Sequence, residues 1–123
     1  MKANTPEPPP IPNDKPALWE LVIADARRDG MAEYLVDDMR ARDKFGREKY
    51  GTPLQAGNGR DALADAYQEL LDAAVYFKQA VLECPDYDTA GRHARTRQTE
   101  IAYADTLRLA LTVRRLLWQR DGR

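Results

Sequence analysis

Four carboxylates recur at helical spacing in the middle of the chain: Asp61, Asp65, Glu69 and Asp72, separated by four, four and three residues. On a helix this spacing lines them along one narrow stripe. No Lys or Arg falls between Asp61 and Phe77 to balance them. Like charges one helical turn apart repel by about 0.2–0.5 kcal/mol per pair, so an unbalanced stripe asks for a reason. Oxygen donors are what a hard cation such as Mg²⁺ takes. That ion keeps waters and substrate phosphates in its shell, so a few carboxylates suffice. The competing reading is an ordinary solvated face, because the stripe lies roughly opposite the centre of the helix's apolar side.

Just upstream runs the basic and aromatic segment RARDKFGREKYG, followed by TPLQAGNGR. Lys44, Arg47, Lys49 and Arg60 flank the loop that leads into the acidic helix, and such side chains attract phosphate. Tyr50 could stack on a base. Backbone N–H groups near Gly59 and Arg60, at the expected helix start, would also favour an anion. Taken alone, a Lys/Arg cluster is commonly solvated surface. Beside a carboxylate stripe it gains meaning, because a cation site plus basic groups is what a nucleoside triphosphate needs.

The elements that must position these residues are helical. Residues 1–16 hold six prolines and almost nothing to bury. They are expected to form an extended or disordered tail, leaving 17–123 as a single helical domain. Asp14 and Pro16 read as start signals for a first helix with Leu18, Trp19, Val22 and Ile23 on its apolar face. Asp29-Gly30 interrupts it. A second helix runs to Gly51, a left-handed stop, with Leu35, Met39 and Tyr50 sharing one side. Gly46 within it suggests a kink or a close approach. Thr52-Pro53 leaves the helix, and QAGNG permits positive φ.

Asn58 is the expected N-cap of a third helix over roughly 59–83, which Pro85 would end. Asp86 or Asp88 could cap a fourth from about 89 to 119. Its expected buried residues are Ala94, Ile101, Ala104, Leu107, Leu111 and Leu117. Alternation typical of strands is absent from the whole chain. The fold class expected is all-α, a four-helix bundle-like domain behind a disordered Pro-rich tail.

Composition excludes several classes. With 19 basic and 20 acidic residues the net charge is −1, so no overall field selects a polyanion. The fourth helix is rich in Arg, but its charges occur all round it and mix with Glu100 and Asp105, which argues against nucleic acid. One cysteine, Cys84, rules out an internal disulfide and a Cys-based zinc site, and the single His93 reads as surface. No phosphate loop of the GxxxxGK type occurs. No run approaches the ~18 apolar residues of a membrane span, and the N-terminus lacks a signal-peptide core, so a cytoplasmic protein is expected.

The run KYGTPLQAGNGRDALADAYQELLDAAVYF resembles small phage-borne proteins of the MazG-like, all-α nucleoside triphosphate pyrophosphohydrolase group. The match covers roughly residues 38–83, and its most specific piece is Glu69-Leu70-Leu71-Asp72, which fits the family's ExxD element. The resemblance implies an Mg²⁺-dependent cleavage of a (d)NTP between its α and β phosphates, in a dimer or tetramer of helical bundles. Glu69 and Asp72 would then be metal ligands, with Asp65 a further ligand or base. The family's other element, EExxE, has no counterpart here. At its distance stand only Asp43 and Glu48, the candidates for the second helix's contribution. In this picture Lys49 and Arg60 neutralise phosphate, and Tyr50 and Asn58 contact base or sugar. Location would be the cytoplasm, the host's if the chain is phage-encoded. The missing element leaves a second reading open, a module that sequesters a nucleotide or cyclic nucleotide without cleaving it. A third is a helical interaction protein with no small-molecule ligand.

Overall fold

The computed structural model describes residues 8–84 and 90–123. It is all-α, with four helices: α1 (Leu18–Arg28), α2 (Glu33–Tyr50), α3 (Ala62–Glu83) and α4 (Ala90–Asp121). The expected stop at Pro85 and caps at Asp86 and Asp88 lie outside the described residues, as do residues 1–7 and the side chain of His93. No described helix is long and apolar enough to cross a membrane. Two compact units divide the chain, one within Pro6–Arg60 and the other within Asp61–Arg123.

In the first unit α1 packs on α2. Neither Asp14 nor Pro16 starts α1. Its N-cap is Ala17, which offers no side-chain cap. Ala17 instead makes an isolated antiparallel bridge with Gln55, and the Leu18 N–H donates to the Leu54 carbonyl at 2.8 Å. The helix start is therefore fixed by a loop some forty residues downstream. Ala26 of α1 is buried and Val36 of α2 is fully enclosed, whereas Leu35 is exposed. Gly30 turns the chain with φ 72°, and Gly51 closes α2 with φ 71°, its N–H donating to the Arg47 carbonyl at 2.8 Å. Gly46 lies within the continuous α2, and a Cβ there would meet nothing within 4 Å, so no close approach explains it.

Ile11, Asn13 and Lys15 are hydrogen-bonded to residues of the 51–60 loop. The buried Gln55 side chain holds them there. Its Nε2 donates to the carbonyls of Asn13 and Lys15 at 2.8 and 2.7 Å, and its Oε1 accepts from the Asn13 N–H at 3.1 Å. Asn13 returns a bond from Nδ2 to the Ala56 carbonyl, and the Ile11 N–H donates to the Asn58 carbonyl. Gly57 and Gly59 have φ of 70° and 86°, a conformation that side chains resist. A Cβ at Gly57 would sit 2.8 Å from the Lys15 ammonium, the movable end of a flexible side chain, so the backbone angle is what favours glycine there.

In the second unit α3 and α4 form an extensive helix pair. The contacting positions carry small or branched residues: Ala64 and Ala74 on α3, and Thr106, Ala110, Val113 and Leu117 on α4 are buried. Spacings of four, three and four make the α4 set a single stripe. It is not the stripe expected from the sequence. Ile101, Leu107 and Leu111 are about half exposed and Ala94 is exposed, while Leu117 alone of the expected large residues is fully buried. Small side chains let the two helices approach, and this decides which face turns inward.

Candidate functional site

The basic and aromatic residues are gathered within the first unit. Tyr50 ends α2 with its ring partly exposed. The Lys49 ammonium lies 5.2 Å from the ring centroid, and the Arg60 guanidinium carbon lies 5.8 Å from it. Both are within the range of cation–π attraction. Arg60 is fixed at its backbone: its N–H donates to the Asn58 Oδ1 at 3.1 Å, and Asn58 itself is buried. All four residues expected to contact substrate, Lys49, Tyr50, Asn58 and Arg60, thus belong to one constellation. A phosphate brought to this ring would meet both cations.

The local fold explains the arrangement. Gly51 ends α2 at Tyr50, the two glycines at 57 and 59 curl the loop, and residues 11–15 clamp it through Gln55 and Asn13. Sequence reading passed over these two amides. A Gln among Gly and Asn looks like any polar loop residue, and only its partners 40 and 42 residues away reveal its work.

Asn58 does not cap α3. The helix begins later, at Ala62, and Asp61 is its N-cap, accepting from the Ala64 N–H at 3.1 Å. Asn58 instead makes a tight turn inside the loop with Arg60. The Arg60 N–H is consequently satisfied, and the helix start already holds a carboxylate. The anion site expected from free N–H groups there is taken by the protein's own Asp61.

Asp61 also leaves the acidic stripe. Its two oxygens receive both terminal nitrogens of Arg120, at 2.8 and 2.7 Å, at the far end of α4. The Arg120 guanidinium holds the Asp61 carboxyl well below the ordinary range, at about 2, with the helix N–H of Ala64 assisting and partial burial opposing. The guanidinium is correspondingly pushed up by Asp61 and Asp121.

Three carboxylates remain on the stripe. Glu69 and Asp72 are exposed and Asp65 is half-buried. Asp43, a candidate from α2, is paired to Arg47 at 2.8 Å one turn along, and Glu48 is exposed. Among the described residues no group of three or more His, Cys, Asp or Glu side chains is placed to hold a metal ion. Glu69 and Asp72 offer the oxygen donors Mg²⁺ prefers, but as a pair they fall short of a protein-built site.

Cys84 sits half-buried at the end of α3 with its thiol directed to the Ala80 carbonyl at 3.2 Å, the behaviour of a structural side chain. Compared with models of protein families, with curated proteins and with solved structures, the chain matches none of them. The likeness to the MazG-like group therefore rests on the residues quoted for it.

Proposed function

We propose that this chain is a nucleotide-binding protein, with Lys49 and Arg60 taking phosphate and the Tyr50 ring offering its face or edge to the base. The observation that carries the reading is the placement of both cations within 6 Å of one partly exposed tyrosine ring. Its supports are the buried Asn58 beneath Arg60 and the clamped loop between them, which spare the ligand part of the cost of ordering its own site. Non-catalytic capture of a nucleotide or cyclic nucleotide needs nothing further.

A second reading keeps hydrolysis, and the observation favouring it is the spacing of Asp65, Glu69 and Asp72 at four and three residues along α3. In that reading the chain is an Mg²⁺-dependent pyrophosphohydrolase. Glu69 and Asp72 would hold the ion with Asp65 as further ligand or base, and Asp43 and Glu48 would be the acidic residues drawn from α2. When bound, such an ion would neutralise phosphate charge and lower the pKa of a coordinated water.

Thermal shift against a panel of nucleoside mono-, di- and triphosphates and cyclic nucleotides, with Mg²⁺ and with EDTA, tests both. Binding predicts a rise in melting temperature that survives EDTA and leaves the nucleotide intact. Release of pyrophosphate that stops with Glu69→Gln selects the second reading. No shift with any nucleotide removes both.

A further inference from the structure

Phe45 of α2 is 52 % exposed, and the Arg42 guanidinium carbon lies 5.0 Å from its ring centroid. Further along the same helix the Lys49 ammonium lies 5.2 Å from the Tyr50 centroid. Two cation–π pairs therefore follow each other along α2. Ion pairing sets their cations apart from the neighbouring ones. Arg40 is held by Asp37 and Arg47 by Asp43. Arg42 and Lys49 have no carboxylate within ion-pair distance among the described residues.

Gly46 stands in the middle of this patch. Arg42 is one turn before it, Lys49 and Tyr50 are one turn after it, and Phe45 is beside it. Glycine weakens a helix interior, and a Cβ at Gly46 would meet nothing within 4 Å, so packing inside the chain does not account for it. A bare backbone between two rings suits the close approach of a ligand. Exposed Asp38 and Glu48, one turn from Arg42 and from Phe45, border the patch on its other side and turn phosphate toward Gly46.

We propose that Phe45 and Arg42 form a second base-and-phosphate subsite beside Tyr50, and that the ligand is single-stranded nucleic acid of two or more nucleotides. The proposal rests on the reading of Tyr50 as a base platform. Five helical residues separate the two rings by about 7.5 Å along the axis. That is roughly two nucleotide rises of about 3.4 Å, a distance that bases one or two steps apart in an open strand can span. Each ring takes a base, and the linking phosphate crosses Gly46 between Arg42 and Lys49. An unpaired strand offers base faces to such platforms, whereas a duplex keeps them in its own stack.

Fluorescence anisotropy of the full chain with a labelled oligothymidylate of about eight nucleotides, competed by unlabelled ligands, tests this. The thymidine dinucleotide should bind about 5- to 150-fold more tightly than thymidine monophosphate, the gain from one further stacked base. Phe45→Ala should remove that gain and leave the affinity for the monophosphate as it was. Arg42→Ala should weaken the dinucleotide and reduce the slope of log affinity against log salt by about 0.7. Lys78→Ala removes a cation over Tyr103 in the other unit and should change neither. Gly46→Gln should raise the melting temperature of the free protein yet weaken the dinucleotide, a combination that partial unfolding cannot give. The proposal is overturned, and the Tyr50 reading left standing, by equal affinity for the monophosphate and the dinucleotide. A dinucleotide indifferent to Phe45→Ala, or a duplex that competes as well as the single strand, has the same consequence. Failure of the monophosphate and of every oligonucleotide to bind removes both.

Discussion

Arg120, three residues from the end of the sequence, grips Asp61 with two parallel hydrogen bonds of 2.8 and 2.7 Å, tying the last turn of α4 to the first residue before α3. Asp61 meanwhile caps α3 through the Ala64 N–H. One carboxylate thus serves both helices, and two substitutions separate the roles. Asn still caps well but carries no charge, whereas Ala does neither. The pair is partly exposed, 40 and 35 %, so Asp61→Asn should cost under about 1 kcal/mol. Asp61→Ala should cost about 1 kcal/mol more. Urea unfolding at neutral pH measures both.

The same contact fixes a pH dependence. The folded-state carboxyl of Asp61 titrates at about 2 against an ordinary 3.8. Because the folded value is the lower one, the unfolded chain binds the proton first as pH falls. The stabilisation is complete above the ordinary value and is lost between there and about 2. The wild type should therefore lose stability across that window more steeply than Asp61→Asn, and the two should converge near its lower end. Urea midpoints taken every half pH unit would show it; parallel curves would refute the assignment.

Gln55 should matter more than its place in a glycine-rich loop suggests. Removing its amide leaves the carbonyls of Asn13 and Lys15 and the Asn13 N–H without their partner. Gln55→Ala should destabilise the Pro6–Arg60 unit by about 1–3 kcal/mol. Gln55→Glu keeps the shape but points an oxygen at two carbonyl oxygens, so it should be worse at neutral pH than in acid, where the carboxyl can donate. Amide exchange at Asn13 and Ile11 should quicken in both variants.

Gly59, with φ 86°, is the test of the loop's curl. Gly59→Ala should cost about 1–2 kcal/mol from the left-handed backbone alone, and a Cβ there would also press on the Ile11 side chain at 3.3 Å. Gly46→Ala on α2 should do the reverse, stabilising by about 0.5–1 kcal/mol, since its Cβ meets nothing and a helix interior disfavours glycine. Thermal unfolding of the two variants side by side gives the sign of each.

These residues also mark how far the sequence could be read. Helix number and approximate limits follow from period, from Gly30 and Gly51 and from the proline at 53, which are local signals. The cluster of Lys49, Tyr50 and Arg60 was legible because a short loop joins them. What stayed hidden depends on distance in sequence. Arg120 claims Asp61 across 59 residues, so an apparent four-carboxylate stripe is a three-carboxylate one with a capped helix before it. Likewise the inward face of α4 could not be chosen by hydrophobicity, because that helix has apolar residues on two sides and the smaller ones pack on α3.

The ligand-binding reading stands or falls on Tyr50. If its ring meets a base and its two cations meet phosphate, substitutions at the three positions should divide cleanly. Tyr50→Phe keeps the ring, so affinity should change little. Tyr50→Ala removes the stacking surface, worth about 1–3 kcal/mol per base, so affinity should fall about 5- to 150-fold for any base. Arg60→Ala and Lys49→Ala should weaken a triphosphate more than the matching nucleoside, and more at low ionic strength than at high, because their contribution is charge. Glu69→Gln should leave binding in EDTA unchanged. Equilibrium dialysis with the best nucleotide from the thermal-shift panel supplies all five comparisons. Equal loss in Tyr50→Phe and Tyr50→Ala would mean that the hydroxyl, not the ring, makes the contact, and salt-independent affinity in the wild type would remove the phosphate role of Lys49 and Arg60.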